Sequence, residues 1–141
     1  MRKTARENAM KFLFERIVNG NPNPITYDAL SEGLSEDSKV FYHNTVTQTG
    51  DRFSFLKRAV ARFVTTYNVE RIYKLDLAIL MIATNEILFM PDVPEKVSVN
   101  EAVEMAKTYS TDNSPVFING VLASVINNKE ELINEYDSEN N

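Results

Sequence analysis

A chain of 141 residues with 43% hydrophobic and 25% charged side chains has the size and balance of one soluble globular domain, and no apolar run approaches the roughly 20 residues that cross a bilayer. The absence of cysteine and the single histidine, His43, exclude disulfide scaffolds, thiolate metal sites, cysteine nucleophiles and any two-histidine metal motif. Four glycines and five prolines leave little turn material for an all-β fold, so the expected class is all-α. The net charge of -5 is unevenly spread. Residues 128–141 carry Glu130, Glu131, Glu135, Asp137 and Glu139 against Lys129. Arg2, Lys3, Arg6, Lys11 and Arg16 outnumber Glu7 and Glu15 within 1–16, and 52–62 holds Arg52, Lys57, Arg58 and Arg62 with no acid. The opening residues show no apolar secretion signal, so a cytoplasmic location is expected.

From Thr4, the residues Ala5, Ala9, Phe12, Leu13 and Ile17 recur at helical spacing until the breaker run from Asn19 to Pro24 ends the first helix. Stretches 25–34 and 36–49 carry only a thin apolar stripe, through Leu30, Leu34, Val40, Phe41 and Val46, and predict two short helices. Phe53, Leu56, Ala59, Val60, Phe63, Val64 and Tyr67 then make a strong apolar face. Leu75 to Phe89 is apolar nearly all round, as expected of a central helix covered on several sides. Ser98 and Glu101 fit a capping box opening a helix through Thr108. Ser114 followed by Pro115 reads as an N-cap and first helical residue, with Ile118, Val121, Leu122 and Val125 continuing the period. Gly120 inside that helix costs about 1 kcal/mol relative to alanine and predicts the close approach of a neighbouring helix. The five carboxylates near the end, among few apolar residues, predict an acidic tail over 129–141 that packs poorly.

Parts for catalysis are nearly absent. No nucleophile elbow, Walker-type loop or dinucleotide-type glycine loop occurs, and Glu101 and Glu104 are accounted for as a cap and a partner of Lys107. The chain is therefore expected not to be an enzyme and to hold no metal or cofactor. Arg2, Lys3 and Arg6 cluster at a helix start, a geometry that tracks phosphates but sits at the positive end of the macrodipole, and a solvated terminal cluster is the alternative. Phe14 lies off the Ala9, Leu13, Ile17 stripe, which makes it either an exposed partner patch or the margin of a wide core face. Phe117 sits in the first turn of its helix, where free amides favour an anion and the ring is placed to stack on an unpaired base, against plain core packing.

The stretch from Leu75 to Val125 carries a more specific signal. Glu86-Ile87-Leu88 ends the central helix, Asp92-Val93-Pro94 makes the turn, Val99-Asn100-Glu101-Ala102-Val103-Glu104-Met105-Ala106-Lys107 follows, and Ser114-Pro115-Val116-Phe117-Ile118-Asn119-Gly120-Val121-Leu122 comes last. This succession, with the opening Ala5-Arg6-Glu7 and Leu13-Phe14, resembles the NusB family of transcription antitermination factors. The resemblance implies a single helical domain over 1–128, of about seven helices in two lobes. It implies binding of boxA RNA together with the small-subunit ribosomal protein NusE, action on RNA polymerase in the antitermination complex, and a role in ribosomal RNA synthesis and processing, as a monomer or homodimer without membrane contact. Carried over by position, the RNA-binding set is Arg2, Lys3, Arg6, Asn113 and Phe117, and the protein-partner set is Phe14 and Asp76. Thr4, Met81 and Val116 stand where the family often has a basic residue and thin its basic surface, and Ser110 replaces a frequent glycine. The competing expectation is a helical protein-protein adaptor with weak or no RNA binding. An RNA-modifying enzyme ranks last.

Overall fold

The computed structural model describes residues 2–64 and 71–141, so the expectation for Tyr67 lies outside the described residues. Among them are eight helices and no strand: α1 (Arg2–Asn19), α2 (Pro24–Ser31), α3 (Glu36–Asp51), α4 (Phe53–Arg62), α5 (Lys74–Phe89), α6 (Glu95–Tyr109), α7 (Ser114–Asn127) and α8 (Lys129–Glu139). The all-helical class is as expected, with one helix more. Every residue from Asp76 to Leu88 is buried, because α1, α3, α4, α6, α7 and α8 all pack on α5. An amphipathic helix has one apolar stripe, whereas a helix wrapped on all sides needs apolar residues all round. No helix among the described residues is long and apolar enough to cross a membrane.

Local signals set several boundaries. Asn23 Oδ1 accepts the Ile25 amide at 3.0 Å and Pro24 starts α2 with its fixed φ, while Ser35 Oγ accepts the Ser38 amide at 3.3 Å to open α3. Glu36 and Asp37 in the first turn of α3 complement the positive end of the helix dipole.

Three expectations are corrected. The capping box does not form: α6 starts earlier, after Pro94, and the Ser98 hydroxyl inside the helix donates to buried Glu86 Oε1 at 2.9 Å. Ser114 is likewise not the cap of α7. That position belongs to Asn113, while Ser114 lies inside the helix and its hydroxyl donates to the Asp76 carboxylate, a stronger acceptor than a neutral oxygen. Gly120 faces open space, with nothing near an added Cβ, so no helix approaches it and nothing in the structure explains the glycine.

The acidic segment differs most from expectation. It forms helix α8 and packs: Leu132 is fully buried, and the Tyr136 ring meets Phe55 and Phe89 edge-on at centroid distances of 5.0 and 4.9 Å. The Arg52 guanidinium lies over Phe89 at 4.0 Å and over Tyr136 at 5.2 Å, joining the α3–α4 junction to the same cluster. The carboxylates themselves pair with α4, Glu139 with Arg58 and Glu135 with Arg62. A segment reading as a solvated acidic run is therefore the electrostatic complement of the basic α4.

Candidate nucleic-acid and partner interface

The start of α1 separates the three opening cations by face. Arg2 and Lys3 are exposed. Arg2 lies 4.9 Å from the Phe41 ring centroid and 3.6 Å from Asp92, so a cation–π contact and a solvent-exposed ion pair aim it over a recess of about 540 Å³. Ser35, Asn44 and Gln48 on and before α3, with Met90 and Pro91 after α5, line that recess. Arg6, one turn later, points inward and is 4% exposed. Its Nε donates to Glu86 Oε2 at 2.7 Å and its Nη2 to Oε1 at 2.9 Å, the two-pronged geometry that a planar guanidinium and a carboxylate share. Ser98 adds its hydroxyl to Oε1, so the pair is neutralised and hydrogen-bonded inside the core. Arg6 therefore leaves the set of phosphate ligands: its charge is spent on Glu86, and releasing it would strand a buried carboxylate.

At the start of α7, Asn113 is exposed and Phe117 is half-buried against the core. Their helix borders a surface recess of about 460 Å³ between α6 and α7, lined by Asn100, Lys107, Val116 and Asn119, which periodicity alone did not single out. Arg2 stands beyond the C-terminal end of α5, and Ser114 is bonded to Asp76 at its N-terminal end. Asp76 and Glu86 are ten residues apart on one helix, roughly 15 Å at 1.5 Å per residue, so the two candidate RNA patches lie at opposite ends of the central helix.

Phe14 lies half-buried on the edge of a third depression, of about 580 Å³, with Val18, Ile72, Tyr73, Leu75 and Tyr109. Val18, Tyr73 and Tyr109 are 50%, 63% and 37% exposed, so large side chains stand open together here as a candidate partner surface. Arg71 and Lys74 supply positive charge at its margin. Asp76 does not reach this surface as a contact. It is 2% exposed, with both oxygens accepting serine hydroxyls, so its place in the partner set is corrected to an internal one.

Three of the four cations of the second basic group are engaged, since α8 pairs Arg58 and Arg62 and the Arg52 guanidinium lies over the Phe89 and Tyr136 rings. His43 shares a 2.7 Å hydrogen bond with the Tyr27 hydroxyl, and Tyr42 donates to the Tyr27 carbonyl at 2.9 Å. Burial is the main cause that pushes both phenols above their ordinary range, with a smaller contribution from Asp28 at Tyr27 and from Tyr27 and then Asp28 at Tyr42. No group of three or more candidate metal ligands occurs among the described residues.

The NusB family model matches residues 3–127, most of the chain. The chain belongs to the NusB family. A transcription antitermination protein NusB of Clostridium novyi is 40% identical over 140 residues, spanning 89% of this chain and 97% of its own length. That of Alkaliphilus oremlandii is 34% identical over 136 residues, spanning 95% and 99%. Among solved structures, T. maritima NusB superposes with a TM-score of 0.80 at 27% identity, covering 90% of this chain and 91% of its own. A crystal structure of antitermination factors NusB and NusE in complex with dsRNA also reaches a TM-score of 0.80, covering 89% and 96%, and at 17% identity this likeness is one of fold.

Proposed function

We propose that this chain is a non-enzymatic transcription antitermination factor of the cytoplasm that binds boxA-type RNA together with the ribosomal protein NusE. Through that complex it acts on RNA polymerase and on ribosomal RNA synthesis and processing. The observation that carries the reading is the division of α1 into two unlike surfaces. Arg2 and Lys3 stand open to solvent at its start, while Phe14 and Val18 enter an apolar groove farther along. Lys3 and Phe14 are eleven residues apart, roughly 17 Å along a helix, which allows a nucleic acid and a protein to sit side by side on one rigid element. Relatives bearing the antitermination name, and a NusB fold solved with NusE and dsRNA, support the choice of RNA and NusE as the two ligands. In this reading Arg2 and Lys3 bind phosphates, Asn113 and Phe117 meet a base, and Phe14 meets NusE.

Each phosphate neutralised on a single strand contributes a salt slope of about 0.7, so the double substitution Arg2→Ala and Lys3→Ala should flatten the logarithmic salt dependence of boxA binding by about 1.4. Fluorescence anisotropy from low to physiological salt measures it. An unchanged slope would mean that RNA is held elsewhere. One observation favours a second reading, an adaptor that binds NusE and little RNA: the internal pairing of Arg6, Arg58 and Arg62 leaves a thin free basic surface. In that case boxA RNA binds no tighter than a scrambled sequence, whether or not NusE is present.

A further inference from the structure

The turn between α6 and α7 holds a closed set of hydroxyls around a buried carboxylate. Ser110 Oγ donates to Asp76 Oδ1 at 2.5 Å, and Ser114 Oγ donates to Oδ2 at 2.8 Å. A serine hydroxyl has one proton, and both protons are spent on the carboxylate, so the 3.0 Å between the two serine oxygens adds no bond of its own. The Ser114 oxygen keeps its lone pairs, and Thr111 fills them with its amide at 3.3 Å and its hydroxyl at 2.8 Å. The bonds therefore run in one direction, from Thr111 to Ser114 to Asp76, with Ser110 arriving on the other oxygen.

This network has one end in each candidate surface. Ser110 and Thr111 also line the groove at Phe14. Ser114 opens α7, next to Asn113, whose carbonyl accepts the Phe117 amide at 3.2 Å. A protein seated in the groove touches the very residues whose hydroxyls fix the first turn of the helix that carries Asn113 and Phe117.

We infer that Asp76 is a positioning residue that couples the two surfaces, so that occupancy of the groove by a protein sets the geometry in which the start of α7 meets RNA. The inference rests on the reading above, in which the groove takes NusE and the start of α7 takes RNA. A carboxylate suits the task because it offers one accepting oxygen to each serine. An amide in its place offers one oxygen and an NH2 that donates, so it serves one serine and opposes the other. Burial raises the stakes at Ser114, which is 1% exposed, since its hydroxyl left without an acceptor finds no water to replace it.

The test is labelled boxA RNA titrated with the wild-type chain, Asp76→Asn and Ser110→Ala, each at zero and at saturating NusE. In the wild type, NusE should tighten RNA by about 5- to 150-fold, the usual span of coupling between sites. In Asp76→Asn the ratio of RNA affinities with and without NusE should fall toward one. Ser110→Ala, which removes a single donor, should lose part of the tightening and keeps the question answerable if Asp76→Asn fails to fold. Undiminished tightening in the variants overturns the inference. So does an Asp76→Asn chain whose RNA affinity falls equally with and without NusE, which is static support of α7, or a wild type that binds both ligands without coupling. A wild type that binds neither RNA nor NusE contradicts the functional reading itself.

Discussion

Arg6→Ala should lower stability by about 3–5 kcal/mol, the usual loss when one partner of a buried ion pair is removed, while leaving the salt slope of RNA binding unchanged. The cost arises from what remains. Glu86 is 1% exposed and would keep only the Ser98 hydroxyl, so a charged oxygen would stay in the core without its counter-ion. For a chain of this size the loss corresponds to a fall in melting temperature of roughly 10–20 °C, read by the far-UV helical signal. Replacing both partners, as Arg6→Met with Glu86→Leu, should recover most of it, because two apolar side chains incur neither desolvation penalty. Added salt should have little effect, since ions screen buried charges poorly. An Arg6→Ala chain that melts like the wild type and loses RNA would return Arg6 to the RNA surface.

The second large effect is at the other end of the chain. Leu132→Ala should cost about 2–5 kcal/mol, the usual range for truncating a buried leucine, and deletion of 130–141 should cost more. Deletion also strips Tyr136 from Phe55, Phe89 and Arg52 and opens the face of α4 and α5 to water. The ion pairs contribute little by comparison. Arg58 and Glu139 have side chains 56% and 40% exposed, and pairs open to solvent are worth about 0–1 kcal/mol, so Glu135→Gln with Glu139→Gln should scarcely move the transition. Thermal unfolding of the three variants decides the matter, and an unchanged melting curve after deletion would show that α8 is a solvated appendage.

How much of this was legible in the sequence follows from the range of the interactions. The central helix was plain, because burial on every side writes an apolar run that nothing else explains. α8 was not, since its buried face needs only Leu132, Ile133 and Tyr136, three residues diluted by carboxylates whose partners on α4 lie more than 70 positions away. The same distance hid the role of Arg6. Its charge and its place in the first turns match a phosphate ligand, and only the folded chain reveals Glu86, 80 residues on, as its partner. Ser98 and Ser114 have the local pattern of helix caps, yet buried carboxylates on α5 take both hydroxyls. Family motifs singled out Phe14 and Phe117, while the groove and the turn that give them neighbours come from elements far apart in the chain.

The most direct test of the account is a titration of labelled boxA-type RNA and of a scrambled RNA of equal length with the wild-type chain, at zero and at saturating NusE. The account predicts that boxA RNA binds more tightly than the scrambled sequence and that NusE tightens it further. Equal affinities for the two RNAs at both levels of NusE would contradict it and leave a helical adaptor that holds only the protein.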